Sequence, residues 1–157
     1  PSIEVTSAVA RDKVIFWHVT DGPWNGDAAA AMYEALGVAL RKEFGNKRKF
    51  NIVEDGDPKG FQSGKGKYAK EQEKIVSWQL PPRTPELQPL DFYVWDAISE
   101  NMAEKKPHTY ESVAQYKKRL RQTAFGLPAE GIAKTILSMK TRIDDLVTSE
   151  GKHLKRG

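Results

Sequence analysis

Residues 50–58 have the sequence FNIVEDGDP, a short apolar and β-branched run that passes directly into a polar turn. This pattern predicts a strand over residues 50–54 that ends just before Asp55. Reactive groups in α/β folds tend to follow the carboxyl ends of strands, which makes Asp55 a candidate functional residue. Asp-Gly-Asp-Pro is also a good turn sequence, so a purely structural turn is the alternative for this segment.

Two calcium- and phosphate-binding alternatives for the following residues fail on spacing. An EF-hand loop beginning at Asp55 would place Lys59 at its fifth position and Gly66 at its twelfth, where a glutamate is required. A phosphate-binding loop over residues 60–67 has glycines one residue too far apart, and Tyr68 stands where serine or threonine is needed.

The segments around this strand predict an α/β order. Alternation over residues 3–9 and an apolar run over 14–19 predict a β-hairpin. A helix is expected from residue 28 to 44, with Asp27 as its cap. A short helix near 68–74 and an extended piece at 75–80 complete this part, giving the order β-β-α-β-α-β.

The rest of the chain predicts three helices. Four prolines between residues 81 and 89 predict an extended surface loop over 81–88, with a helix starting beside Pro89 and carrying an amphipathic stripe to Met102. Thr109 begins a second, basic helix that ends near Gly126. A last helix carries an apolar stripe over residues 132–146.

Asp91 is the second carboxylate of interest. It lies in the first turn of the predicted amphipathic helix, beside the stripe residue Leu90, so it is expected at the edge of the core. Negative side chains are also favoured at helix N-termini by the helix dipole, which is the ordinary explanation for such a residue.

Length and composition limit the class of protein. The chain has 157 residues, the size of one domain. It contains no cysteine, which excludes disulfides and thiolate metal sites, and it contains three histidines. No apolar run approaches the length of a membrane span, so no membrane partner is expected. Residues 101–157 carry 12 basic and 6 acidic side chains. This basic tail fits either a polyanion-binding face or a plain solvated helix surface.

Two stretches together carry a resemblance to a known family: EDGDPK at residues 54–59, and LPPRTPELQPLD at 80–91 with Trp95 one turn later. They resemble the core signature of the Tc1/mariner transposases, a family of the DDE/D superfamily. The 35 residues between Asp55 and Asp91 match the family's separation closely. DGPWNG at 21–26 and the basic tail ending near residues 151–153 are also similar. Glu54, Gly56 and residues 84–86 depart from the family's pattern conservatively.

The resemblance implies an α/β, RNase H-like mixed sheet with flanking helices, of which this chain is the C-terminal part. Residues 1–105 would form the catalytic core without its first strand, and residues 106–157 a basic helical extension of the same domain. The family's first strand lies between the strands matched by 3–9 and 50–54, so these should flank a slot one strand wide. Unpaired backbone groups there would be costly, so the chain is not expected to fold as an isolated monomer.

The resemblance also implies the chemistry. Such cores are nucleases and strand transferases that use two divalent ions, Mg²⁺ or Mn²⁺, to cut DNA phosphodiesters and join the ends during DNA integration in the nucleus. Asp55 would share both ions from its strand end, and Asp91 would bind one from its helix. The family's first catalytic aspartate lies on the absent strand, and neither Glu4 nor Asp12 is a convincing substitute.

Several partners and alternatives follow. DNA is the expected partner, bound through Lys117, Lys118, Arg119 and Arg121, for which a solvated helix face is the alternative. A second polypeptide, a second copy or an N-terminal segment would supply the missing strand, and a homodimer is possible. Enzyme activity is expected only of the completed assembly. The alternatives are a domesticated or fragmented core that binds nucleic acid without catalysis, and an unrelated α/β domain.

Overall fold

The computed structural model describes residues 3–149 as an α/β chain of four strands and six α-helices. The strands are β1 (Glu4–Ala10), β2 (Lys13–Thr20), β3 (Phe50–Glu54) and β4 (Ile75–Gln79). The helices are α1 (Gly26–Phe44), α2 (Gly64–Gln72), α3 (Trp95–Glu104), α4 (Val113–Phe125), α5 (Ala129–Leu137) and α6 (Met139–Thr148). Two compact units divide the described residues: 3–7 with Ile15–Arg83, and Ala8–Val14 with 84–149. The predicted boundary at residues 105/106 stays a prediction, and residues 150–157 of the predicted tail lie outside the described part.

The predicted hairpin is confirmed. Strands β1 and β2 pair as a two-stranded sheet, joined through Arg11 and Asp12. The backbone of Arg11 has a φ of 59°, which places it in the left-handed region that tight connections require. The hydroxyl of Ser7 donates a 2.9 Å hydrogen bond to the carbonyl of Phe16 and fastens the two strands from inside.

The second sheet contains the strand that carries the candidate site. Strands β3 and β4 run parallel, with Phe50 opposite Ile75 and Glu54 opposite Gln79. Within residues 3–149 neither strand pairs with β1, so the two sheets remain separate, as the resemblance to a sheet without its central first strand predicted. The slot one strand wide between β1 and β3 stays a prediction.

Helix α1 supplies half of the buried hydrophobic residues described in the first unit. It buries Met32, Tyr33, Leu36 and Leu40 on one stripe. Its cap differs from the prediction: the side chain of Asn25, not Asp27, accepts a hydrogen bond from the amide of Ala28, so the helix begins at Gly26. Asparagine and aspartate cap equally well, and their spacing does not decide between them.

Helix α2 begins earlier than predicted. It starts at Gly64 rather than near residue 68, because the hydroxyl of Ser63 accepts the amide of Gly66 at 3.0 Å and caps the helix. Close packing requires glycine at position 66. A Cβ atom on Gly66 would lie 2.5 Å from the carbonyl oxygen of Gly60.

The proline-rich segment is more ordered than predicted. Residues 85–87 form a 3₁₀ turn (Pro85–Leu87) within the stretch predicted as an extended loop. The expectation that prolines exclude helix there is wrong, because Pro85 occupies the first position of the turn, where no amide hydrogen is needed. A π-helical turn, Leu90–Val94, follows directly and leads into α3.

After α3, residues 105–149 form three helices instead of the predicted two. Helix α4 begins after Ser112, whose side chain forms a capping box with Gln115, so Thr109 lies outside the helix. The segment predicted as one last helix forms two helices, α5 and α6, which meet at Ser138. The hydroxyl of Ser138 donates to the carbonyl of Thr135 and competes with the helical hydrogen bonds at this break.

No helix within residues 3–149 combines the length and the apolar character that crossing a membrane requires.

Candidate active site

The turn after β3 separates the roles of Asp55 and Asp57. Asp57 accepts hydrogen bonds from the amides of Gly60 (2.8 Å), Lys59 (3.2 Å) and Phe61 (3.3 Å), so its carboxylate closes the turn. Asp55 is exposed and forms no hydrogen bond or ion pair within residues 3–149. The turn therefore explains Asp57 and leaves the carboxylate of Asp55 free to bind a ligand.

Asp57 is held in its charged form by these donors. Partial burial would raise its pKa, but hydrogen bonds from the indole of Trp24 and from the three turn amides outweigh it, so the pKa of Asp57 lies below its usual range. The Trp24 Nε1 to Asp57 Oδ2 distance is 2.7 Å. A Cβ atom on Gly60 would lie 2.3 Å from the Trp24 ring, so only glycine fits at that position.

Glu54 anchors the end of β3 inside the first unit. Its carboxylate is buried, and one oxygen accepts a 2.6 Å hydrogen bond from the ammonium of Lys70 in α2. The other oxygen accepts from the hydroxyl of Tyr33 in α1. Lys70 also donates to Ser77 Oγ at 3.1 Å. Neighbouring residues of a strand point to opposite faces, so fixing Glu54 inward directs Asp55 outward.

Tyr33 remains a hydrogen-bond donor at all physiological pH values. Burial raises the pKa of its hydroxyl strongly, and the adjacent charges of Glu54 and Asp57 raise it further. The protonated hydroxyl and the ammonium of Lys70 therefore both donate to Glu54. The ammonium also lies 5.1 Å from the centre of the Tyr33 ring.

Asp91 lies in the second unit, in the π-helical turn. Its amide donates to the carbonyl of Gln88 at 2.9 Å, and its side chain is half-buried and has an interaction partner. The position at the start of a helical segment is as predicted.

Arg142 of α6 holds the segment that carries Asp91. Its guanidinium lies 3.8 Å from the centre of the Phe92 ring, a cation–π contact, and it donates to the carbonyl of Glu86. Helix α5 contacts the same turn closely, since a Cβ atom on Gly131 would overlap the hydroxyl of Tyr93. The 3₁₀ and π turns are therefore packed against α5 and α6 within the second unit.

The metal-binding prediction can be compared with the donors present. No group of three or more acidic or histidine side chains within residues 3–149 is placed to hold a metal ion. Asp55 and Asp91 belong to different units, and their convergence stays a prediction. Carboxylate oxygens are the donors that Mg²⁺ and Mn²⁺ prefer, so the free carboxylate of Asp55 fits such an ion in kind.

The predicted DNA-binding residues all lie on α4, but they differ in their partners. Arg119 forms a two-pronged ion pair with Glu111, at 2.7 and 2.8 Å, and donates to the carbonyl of Met102. The hydrogen bonds of this pair raise the pKa of Arg119 and lower that of Glu111. Arg121 lies over the ring of Phe125, 4.6 Å from its centre. Lys117 and Lys118 have no partner within residues 3–149.

The supporting residues were missed at the level of sequence. Lys70 belongs to a strongly polar helix, and nothing in the spacing distinguishes it from the exposed lysines beside it. Trp24 and Tyr33 are typical core residues in the sequence, and their polar atoms gain a role only through the fold. The one signal in the sequence was Glu54, where the chain departs from the family's pattern. Its negative charge requires a cation close by if it is buried.

Comparison with known proteins supports the fold. No protein-family model and no curated protein matches the chain. Among solved structures, the Mos1 transposase catalytic domain with Raltegravir and Mg is similar over 98% of this chain and 77% of that one, with a TM-score of 0.83 and 16% identity. The Mos1 mariner transposase catalytic domain has a TM-score of 0.80 and 15% identity over 98% and 82% of the two chains.

A third similar structure is a complex. The Mos1 transposase paired-end complex with the left transposon end has a TM-score of 0.83 and 17% identity, covering 98% of this chain and 45% of that one. The chain therefore has the RNase H-like fold of a DDE transposase catalytic domain, the fold that the two quoted stretches predicted. The similar structures described above are of the Mos1 transposase, which one of them names a mariner transposase.

The buried ion pair gives a stability prediction. Lys70→Met leaves the carboxylate of Glu54 buried without its cation and is expected to reduce the free energy of unfolding by about 3–5 kcal/mol. Lys65→Met is the matched control, because Lys65 and Asp27 pair with side chains 64% and 75% exposed, and such a pair contributes about 1 kcal/mol at most. Urea denaturation measures both. Equal losses in the two variants would contradict the assigned role of Lys70.

Asp57 gives a pH prediction. Because its pKa is lowered in the folded state, its contribution to stability is present above the unfolded pKa of about 3.9 and disappears as the pH falls through the lower folded value. Asp57→Asn should therefore be less stable than the parent at neutral pH, and the difference should shrink in acid. Thermal unfolding at a series of pH values measures this, and a difference independent of pH would argue against it.

Proposed function

We propose that the chain is the core of a transposase-type DDE/D nuclease and strand transferase that acts on DNA phosphodiesters. The observation that carries the proposal is the free carboxylate of Asp55, directly beyond β3, in a chain with the fold of a transposase catalytic domain. Asp57 forms the turn and Glu54 anchors the strand, so the acidic run leaves one carboxylate available at this strand end.

The cofactor proposed is a pair of Mg²⁺ or Mn²⁺ ions. When bound, two such ions supply activation of the attacking oxygen and stabilisation of the leaving oxygen in phosphoryl transfer. Asp55 and Asp91 would hold them in this chain. Lys70 and Tyr33 would keep Asp55 in place through Glu54, and Arg142 would do the same for the turn that carries Asp91. The Mg in one similar structure supports this choice of ion.

A strand from outside residues 3–149 is proposed to complete the sheet between β1 and β3. The separation of the two sheets supports it, because each inner edge otherwise lacks a strand partner in the described part of the chain. The completing strand would carry the third acidic residue. A second polypeptide, a second copy of this chain or an N-terminal segment could each provide it.

DNA is the proposed partner, and the nucleus the proposed location. The paired-end complex among the similar structures supports DNA binding and an assembly of two copies. Lys117, Lys118 and Arg121 on α4 are the proposed phosphate contacts, while Arg119 would have to exchange Glu111 for a phosphate.

A non-catalytic DNA-binding or assembly subunit is the second candidate function. It is favoured by one observation, that residues 3–149 place no three acidic or histidine side chains together. Such a subunit would keep the fold and the basic surfaces but would not depend on Asp55 or Asp91.

Hydrogen exchange tests the completed sheet. In a form of the protein with a strand-forming segment joined to its N-terminus by a Gly/Ser linker, the amides of β1 and β3 should become protected together, because both gain a hydrogen-bonding neighbour. Strands β2 and β4 are the internal controls and should change little. Mass spectrometry of the exchanged peptides measures this. Unchanged exchange in β1 and β3 while the added segment is bound would refute the slot.

Substitution of the two aspartates tests catalysis. In the assembly that contains the completing strand, Asp55→Asn and Asp91→Asn should each reduce Mn²⁺-dependent nicking of plasmid DNA by more than about 100-fold, since even residues that only support a metal ligand are worth about 10–100-fold. Calorimetric titration with Mn²⁺ should show weakened binding. Asp144→Asn, an exposed carboxylate on α6, is the control. Full nicking by both variants would overturn the assignment of the two aspartates, and no nicking by the parent assembly would favour the non-catalytic alternative.

A further inference from the structure

A basic groove lies beside β4 in the first unit. It has a volume of about 600 Å³ and is formed by α2, β4 and the residues just before β3. Its lining includes five basic side chains and one carboxylate, that of Glu71; the basic side chains are Arg48, Lys49, Lys67, Lys70 and Lys74. We refer to it below as the β4 groove.

Four of the five basic side chains in the groove have no partner among the described residues. Lys70 is committed to Glu54, whereas Arg48, Lys49, Lys67 and Lys74 are exposed and form no ion pair or hydrogen bond through their side chains within residues 3–149. Like charges gathered in one groove repel each other, and a bound anion relieves that repulsion.

The lining also offers a neutral donor. Gln62 lines the groove, and its side-chain nitrogen is buried without a hydrogen-bond partner among the described residues. A buried donor without a partner is costly, so rotation of the Gln62 amide towards a phosphate in the groove would be favourable.

The groove extends along the whole of β4 towards the candidate site. Lys74 precedes the strand and Gln79 ends it, and both line the groove. A Cβ atom on Gly56, the residue after Asp55, would lie 3.3 Å from the side-chain oxygen of Gln79. Five strand residues extend over about 13 Å, which spans two or three consecutive phosphates of one DNA strand, since these lie roughly twice the 3.4 Å axial rise apart along the backbone.

We propose that the β4 groove binds two or three consecutive phosphates of one DNA strand and leads that strand to Asp55. Four free cations in one groove favour a phosphodiester backbone, which carries several charges, over a single anion. The choice of DNA as the polyanion rests on the proposed function. The groove lies in the first unit and is a contact additional to the α4 residues in the second.

Salt-dependent binding tests the groove. Lys67→Gln/Lys74→Gln removes two proposed phosphate contacts and leaves Lys70 intact, and Lys105→Gln/Lys106→Gln removes two exposed lysines outside the groove as the matched control. Fluorescence anisotropy with duplexes of unrelated sequence, without divalent metal, gives affinity between 50 and 200 mM salt. Circular dichroism verifies that both variants fold.

The groove variant should show a log–log salt slope smaller by about 2, because each phosphate contact contributes about 0.9. The fall in affinity between 50 and 200 mM salt should then be about tenfold smaller than in the parent, equally for all sequences. The control should keep more of the parent's slope than the groove variant. A groove variant whose slope and affinity equal those of the parent would overturn the proposal.

Polyglutamate and inorganic phosphate distinguish other ligands. If Lys67→Gln/Lys74→Gln loses binding to either of these and keeps its DNA binding, the groove binds acidic protein or free phosphate and the proposal is wrong. If the variant loses binding to DNA together with binding to polyglutamate or phosphate, the groove recognises polyanions, of which DNA is one, as proposed.

The outcome is separable from that of the proposed function. Asp55→Asn should bind DNA with the parent's salt slope, since its carboxylate contacts no phosphate without metal. Nicking by both aspartate variants would overturn the catalytic site while the groove result stands. If Lys67→Gln/Lys74→Gln binds DNA as the parent does, the proposal for the groove is wrong, whatever the nicking result.

Discussion

The ion pair between Lys70 and Glu54 connects most of the first unit. Lys70 belongs to α2 and Glu54 ends β3, while Tyr33 of α1 donates to the second carboxylate oxygen and Ser77 of β4 accepts from the same ammonium. Four elements therefore meet at one buried carboxylate. Because an unpaired charge inside a protein is strongly unfavourable, none of them can shift independently. The strand end that precedes Asp55 is thus fixed from the inside.

Three acidic residues in four positions would repel each other without distinct environments. Glu54 is neutralised by Lys70, and the charge of Asp57 is spread over the indole of Trp24 and three amides of its turn. The uncompensated negative charge is left at Asp55. The hydrogen bonds of Glu54 and Asp57 offset the repulsion among the three carboxylates, so the folded chain stays stable. The carboxylate of Asp55 can still attract a cation.

Sequence reasoning predicted what depends on local pattern and missed what depends on tertiary contact. The hairpin, β3, β4 and α1 follow from alternation and amphipathic spacing, and their order is confirmed. Helix α2 was placed too late because Ser63 caps it despite its glycines, and the break at Ser138 has no glycine or proline to mark it. The position of Asp55 after β3 could be predicted. The burial of Lys70 could not, since only the assembled fold distinguishes it from its exposed neighbours.

The π-helical turn at Leu90–Val94 limits which insertions and deletions this chain can accept. The amide of Trp95 bonds to the carbonyl of Leu90, five residues back, so the turn contains one residue more than an α-helix would. Deleting a single residue between Asp91 and Trp95 would let an ordinary α-helix form, and would rotate Asp91 by about 100° relative to α3. A gap of one residue here would therefore redirect a side chain while leaving the helix and its core contacts in place. In an alignment of such chains, the length of this segment is as informative as the identity of the aspartate.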